Sequence, residues 1–189
     1  MNIFGVSLFH KGDVKMEVRQ TKIHHDFLDG VITGEQVSHY KKTYNDVKSL
    51  YEMTDESISP DELMYEVFSY EGDTAEDTLC WGLTILYPIT VVGECNMTRG
   101  HFHLDRTKPE IYVGFGGAGL LMYMDESGNT FAEEVSKGSV HYIRGEYAHR
   151  LVNTGDTPLK VGACWGKNAG HDYEAIEKKS FSERIYKQL

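Results

Sequence analysis

The residues with the most chemistry to offer are the histidines. There are nine of them in 189 residues, and five fall between positions 101 and 171. His101-Phe102-His103 places two imidazoles at i and i+2. On an extended strand such residues point to the same side, so both rings can reach one ion. Glu110 opens the next apolar run, Ile111–Phe115, and brings a carboxylate. His149 stands just before another short run, Leu151–Asn153, and offers a further nitrogen. Three imidazoles and one carboxylate suit Fe(II), Mn(II), Ni(II) or Zn(II), with coordination positions left for water or substrate.

Such a cluster needs a stiff frame, and the sequence past residue 63 supplies short strands. Met64–Tyr70 and Trp81–Tyr87 are rich in β-branched and aromatic residues. Ile111–Phe115 and Leu120–Met124 flank Gly116-Gly117-Ala118-Gly119, which predicts a hairpin. Asp125–Asn129 predicts a second turn, followed by strands over Thr130–Val135, Ser139–Arg144, Leu151–Asn153 and Leu159–Trp165. Closely spaced short strands with turn signals predict an antiparallel sandwich or barrel. Residues 1–60 are polar, with a helix expected over Asn45–Met53. Ser59-Pro60-Asp61-Glu62 resembles a capped helix start, of a single turn because Met64–Tyr70 reads as a strand. At the far end Ile176, Phe181, Ile185 and Leu189 predict an amphipathic helix over about 171–188. The whole reads as one domain over 1–189: a flanking segment to about 60, a strand-built sandwich or barrel over about 63–168, then the helix.

Composition narrows the function. Lys+Arg is 19 against Asp+Glu 29, a net charge of −10. That disfavours a nucleic-acid partner, and no run of 18 apolar residues predicts a membrane span. Met1–Gly5 has no basic leader, and Cys80, Cys95 and Cys164 form no CxxC pair, which points to a reducing cytoplasm. His10, His24, His25 and His39 read as surface residues and His141 as structural or surface.

Gly93-x7-His101-x-His103-x6-Glu110-x6-Gly117, with Gly138-x10-His149-x3-Asn153, resembles the two-motif signature of the cupins. The fold this implies is an all-β dominated, jelly-roll-like β-barrel with a few short flanking helices. Further strings resemble the archaeal-type, cupin-fold glucose-6-phosphate isomerases: Thr84–Pro88, Thr98-Arg99-Gly100-His101-Phe102-His103, Glu110-Ile111-Tyr112, Tyr147-Ala148-His149-Arg150 and Ala169-Gly170-His171-Asp172-Tyr173. The likeness covers about residues 63–182. It implies one divalent metal per chain, Fe(II) favoured, held by His101, His103, Glu110 and His149. It implies Glu110 and His149 as the catalytic pair. It sets Tyr65, Thr84, Thr98 and Gly100 around a sugar phosphate, Tyr112 and Tyr173 near the sugar, and a homodimer as the assembly. Trp165 stands where the family has a tyrosine, keeping a ring and losing the hydroxyl.

The chemistry is coherent on its own terms. Aldose–ketose isomerisation moves a hydrogen between C1 and C2, so it needs a base beside both carbons and a Lewis acid for their oxygens. Glu110 is the ligand able to act as that base, through a cis-enediol; a metal-assisted hydride shift is the rival route. In an acidic chain the phosphate must find local donors: Thr84 and Thr98 hydroxyls, the Gly100 amide, the Tyr65 phenol, and as candidate cations Arg99 or Arg150. His171 either buttresses the core or joins the site. A different cupin metalloenzyme, such as a dioxygenase or another sugar isomerase or epimerase, is the alternative, and it has less use for Thr84 and Thr98. A non-catalytic sugar sensor is the second, and no basic helix-turn-helix accompanies it here.

Overall fold

A computed structural model describes residues 17, 19–27, 30–72, 75 and 78–187. The expectations for His10 and for the Leu189 end of the C-terminal helix lie outside the described residues. Thirteen strands are present among the described ones. They are β1 (Ile23–Asp26), β2 (Val31–Gly34), β3 (Val37–Thr43), β4 (Leu63–Tyr70), β5 (Leu79–Leu86), β6 (Thr90–Val91) and β7 (Glu94–Cys95). They continue with β8 (Glu110–Gly116), β9 (Ala118–Met124), β10 (Thr130–Ser136), β11 (Val140–Ile143), β12 (Ala148–Asn153) and β13 (Leu159–Gly166). Helix is confined to α1 (Tyr44–Val47), α2 (Tyr173–Lys178) and 3-10 turns at Lys48–Leu50 and Lys167–Ala169.

Two antiparallel sheets form the barrel. The larger runs β11-β8-β13-β5-β4-β3 and the smaller runs β10-β9-β12. The all-β, few-helix class implied by the cupin resemblance is what the structure shows. The core between the sheets is packed with side chains fully withdrawn from water, among them Met64, Leu86, Leu121, Met124 and Leu159. Each contributes roughly 1.5–3 kcal/mol of burial. Strand β12 is buried at all six positions. The sheets are also joined by polar ties. Asn153 of β12 donates its side-chain amide to the carbonyl of Leu86 on β5 (2.8 Å). His141 of β11 contacts the Glu133 carboxylate of β10 (2.6 Å) and the Ser139 hydroxyl (2.8 Å). The Tyr123 hydroxyl donates to the same carboxylate (3.0 Å).

Four expectations need correction. The glycine string at 116–119 is not a hairpin: β8 belongs to the large sheet and β9 to the small one, so the chain turns a corner between layers. Gly117 has φ +76°, and a Cβ there would lie 2.5 Å from the Pro158 carbonyl oxygen. The glycines therefore serve a tight crossing. The large sheet also reaches back to β3, well before residue 63, and β1 and β2 pair with each other inside the segment read as polar flank. β3 is an edge strand with mostly exposed side chains, which hides it in a polar stretch. The helix expected over Asn45–Met53 is α1 plus one 3-10 turn, started by a Thr43/Asp46 capping box. Ser59–Glu62 closes as a single turn (Glu62 N–H to Ser59 carbonyl, 2.9 Å) before β4, in line with the strand read there.

The fourth correction concerns the helix expected over 171–188. Asp172 caps α2 by accepting from the Ala175 N–H (3.1 Å), but the helix stops at Lys178. The chain then runs as an extended strap. Ile185 accepts from the Cys95 N–H (2.8 Å) and Lys187 donates its N–H to Gly93 (3.0 Å). Phe181 packs under the Arg150 guanidinium (4.5 Å). The apolar residues that suggested a helical stripe are thus spent on separate contacts.

Candidate metal centre and cavity

The strand register explains how the inner residues converge. Residues paired across an antiparallel ladder share a face. Val67 pairs with Thr84, and Thr84 with Val161. Lys42 pairs with Tyr65, Ala163 with Tyr112, and Trp165 with Glu110. One face of the large sheet therefore presents Tyr65, Thr84, Tyr112, Trp165 and Glu110 together. The facing wall comes from β12 and from the irregular segment 98–109. That segment is pinned to β12 by reciprocal backbone bonds between His101 and His149 (3.2 and 3.0 Å). His101 and His103 are not on a named strand, yet extended backbone keeps their rings on one side, with centroids 5.7 Å apart.

The donor atoms of His101, His103, Glu110 and His149 all lie within 4.8 Å of one another. Glu110 Oε2 is 3.2 Å from His103 Nε2 and 3.2 Å from His149 Nε2. His103 Nδ1 contacts the Lys108 carbonyl (2.7 Å), which orients its Nε2 toward the cluster. The Nε2 atom of His101 is shielded from solvent and has no hydrogen-bond partner, and that of His149, equally shielded, faces only the Glu110 carboxylate. An orphaned nitrogen and two more imidazoles around a buried carboxylate fit a cation. Burial, then the surrounding imidazoles, push the His101 pKa well below its ordinary value, which keeps a lone pair free. Burial raises the Glu110 pKa, but the close imidazoles of His103 and His149 outweigh it and hold the carboxyl below its usual range. For His103, burial acts downward, and Glu110 with the Lys108 carbonyl outweighs it, so the ring is raised.

This cluster opens on a cavity of about 980 Å³. His101 and His149 line it, and the donor atoms of the almost fully buried Glu110 and His103 lie within 4.8 Å of theirs. Tyr65, Thr84, Thr98, Gly100, Tyr112 and Tyr173 all line the same cavity. The Tyr112 ring meets His149 edge-on (5.6 Å), and Tyr173 meets His101 (5.7 Å). Thr98 Oγ1 accepts the Leu151 N–H (3.0 Å), which leaves its own hydrogen free to donate. Trp165 lines the cavity too, its ring filling the space where Gly82 has no side chain; a Cβ there would meet the ring at 2.9 Å.

His171, left undecided by the sequence, lines the cavity with its ring 4.3 Å from that of His101. Its place in the Ala169–Tyr173 string was the available signal. His141 is buried in the tie between the sheets, and His39 stacks on Phe68 (4.0 Å). His25 is not a plain surface residue: it accepts from the Trp81 indole (3.0 Å) and has a buried Nε2. Arg99 is tied to Glu177 and lies over the Tyr173 ring (5.1 Å).

Fold and site together define a two-sheet antiparallel β-barrel whose inner wall carries a side-chain group able to hold a metal ion. A family model described as glucose-6-phosphate isomerase (GPI) matches residues 34–186. The glucose-6-phosphate isomerases of Pyrococcus horikoshii and Pyrococcus abyssi are 33% and 34% identical over 168 residues, covering 86% of this chain and 87% of each relative. The putative glucose-6-phosphate isomerase 2 of Rhizobium meliloti is 31% identical over 160 residues, 81% of this chain and 78% of the relative. Among solved structures, oxalate decarboxylase from Bacillus subtilis is 17% identical with a TM-score of 0.45, over 65% of this chain and 27% of that chain. The chain belongs to the glucose-6-phosphate isomerase family.

Proposed function

We propose that this protein interconverts glucose 6-phosphate and fructose 6-phosphate with one divalent ion, Fe(II) favoured, held by His101, His103, Glu110 and His149. The observation that carries this reading is the shared cavity: the donor cluster opens on the space lined by Tyr65, Thr84, Thr98 and Gly100. When bound, the ion would supply Lewis acidity for charge developing on the sugar oxygens at C1 and C2. Thr84, Thr98, the Gly100 amide and Tyr65 hold the phosphate by donating hydrogen bonds. Tyr112 and Tyr173 flank the sugar, and Trp165 walls off its side. Glu110 takes the C2 proton of the open-chain aldose as the C1 oxygen gains a proton, giving a cis-enediol, and then returns its proton to C1 as the C2 hydroxyl gives up its own, while His149, 3.2 Å away, holds the carboxylate in place. The enzyme works in the cytoplasm as a homodimer, with the open edges of β3 and β11 as strand surfaces available for pairing.

The test is a coupled assay on metal-stripped protein given fructose 6-phosphate, with Fe(II), Mn(II), Ni(II) or Zn(II) added back. The expected result is glucose 6-phosphate formation restored by a divalent ion, with a stoichiometry of one per chain. Folded, metal-loaded protein that stays silent with every ion would refute the substrate. Sedimentation at micromolar concentration tests the dimer.

A further inference from the structure

A phosphate ester brings about two negative charges into an acidic protein, and hydroxyls alone do not neutralise them. Four cations line the cavity: Lys42, Arg99, Arg150 and Arg184. Arg99 is committed to Glu177, and Arg184 to the buried Glu94 (2.6 Å). Lys42 is on the edge strand β3, near Asp46. Arg150 differs from all of these. Its residue is only 7% exposed. Its Nη2 donates to a neutral acceptor, the Glu183 carbonyl (3.1 Å), its face lies on Phe181, and its Nε has no partner. No carboxylate forms an ion pair with it among the described residues. A buried guanidinium without a paired anion is costly unless an anion arrives.

Its position says which anion. Arg150 follows the ligand His149 on β12, and its stem packs against Gly100: a Cβ on Gly100 would lie 2.9 Å from Arg150 Cβ. We infer that Arg150 is the electrostatic anchor of the phosphate end of the cavity, acting across the Thr98–Gly100 backbone to favour a dianionic ligand. The inference rests on the proposed placement of phosphate at Tyr65, Thr84, Thr98 and Gly100. Its guanidinium is charged at neutral pH. The strap thereby gains a purpose: Phe181 and the Glu183 carbonyl hold the guanidinium in place and keep bulk water from screening it.

The test measures inorganic phosphate binding by titration calorimetry on metal-loaded protein, alongside KM and kcat for fructose 6-phosphate. Arg150→Met should weaken phosphate binding and raise KM by about ten-fold or more, with kcat within a few-fold. Arg150→Lys, which keeps the charge, should recover most of the affinity, and Arg144→Met, at an exposed arginine paired with Glu146 outside the cavity, should bind phosphate like the wild type. Arg150→Gln keeps hydrogen-bond donors and decides the matter if Arg150→Met does not fold. Wild-type phosphate affinity in a folded Arg150→Met or Arg150→Gln would overturn the inference, as would a wild type that binds no phosphate. If phosphate binding depends on Arg150 while no sugar phosphate is turned over, the anchor stands and the isomerase reading falls.

Discussion

Replacing Thr98 by valine separates two duties of one hydroxyl. Its oxygen accepts the Leu151 N–H at 3.0 Å, and its hydrogen is left for the cavity. Valine matches the shape and removes both functions. Leu151 is buried, so its N–H loses a partner there, at a cost of about 1–3 kcal/mol in stability. For a chain of this length that corresponds to a fall in Tm of about 2–4 °C per kcal/mol. A hydrogen bond to a charged group contributes about 1.5–3 kcal/mol, so KM for a sugar phosphate should rise about 10- to 150-fold. The kcat should change little, because the hydroxyl is remote from the reacting carbons and binds ground and transition states alike. Thr98→Ser keeps both functions and should restore KM and most of Tm. Steady-state kinetics with fructose 6-phosphate and a melting curve suffice. Wild-type KM in Thr98→Val would refute the assignment of this hydroxyl to phosphate, whatever the stability change.

Glu110→Gln should lower kcat by about 10²–10⁴-fold while leaving some metal bound, since the other donors remain; full activity would remove Glu110 from the proton-transfer role. His141→Ala should cost roughly 1–3 kcal/mol, because it empties the tie between β10 and β11, and it should leave KM unchanged; denaturant unfolding with parallel kinetics checks both. Asp172 is held below its usual pKa, first by the Ala175 N–H and also by Arg106. A depressed carboxylate contributes stability above its unfolded pKa and loses it as pH falls through the folded value. Asp172→Asn keeps a capping oxygen without the charge, so its deficit relative to wild type should shrink as pH drops from 7 toward and below the ordinary Asp pKa. A constant difference in Tm across that range would contradict this.

The donor cluster was legible in the sequence because two independent regularities carry it. The i, i+2 alternation survives even where His101 and His103 leave regular strand, and the Glu110 and His149 positions each open a β-strand or lie within its first turn of residues. What failed was anything decided by partners distant in sequence. A glycine string announces a tight turn, but whether its flanks pair with each other depends on Pro158 and Leu159, some forty residues on in the chain. β3 is polar because it is an edge strand, so its composition matches a loop. The stripe of Phe181 and Ile185 has helical spacing, yet the first residue packs on Arg150 and the second on β7 through its backbone. Arg150 itself looks like any charged strand residue until its burial is seen.

The two halves of the donor set belong to parts of the fold with different rigidity. His149 is on β12, buried at every position, and Glu110 starts β8, which is paired on both sides, with β11 and β13, in the large sheet. Segments of that kind lose protection only when the whole domain opens. His101 and His103 belong to an irregular segment tied down by a few backbone bonds to β12 and by Phe102 to Asp172. Such a segment can lift away locally at lower cost. Ion exchange with the surrounding pool should then follow the opening of residues 98–109 rather than global unfolding. Opening of that segment, read by amide exchange, would set the pace at which an ion held there is replaced by another.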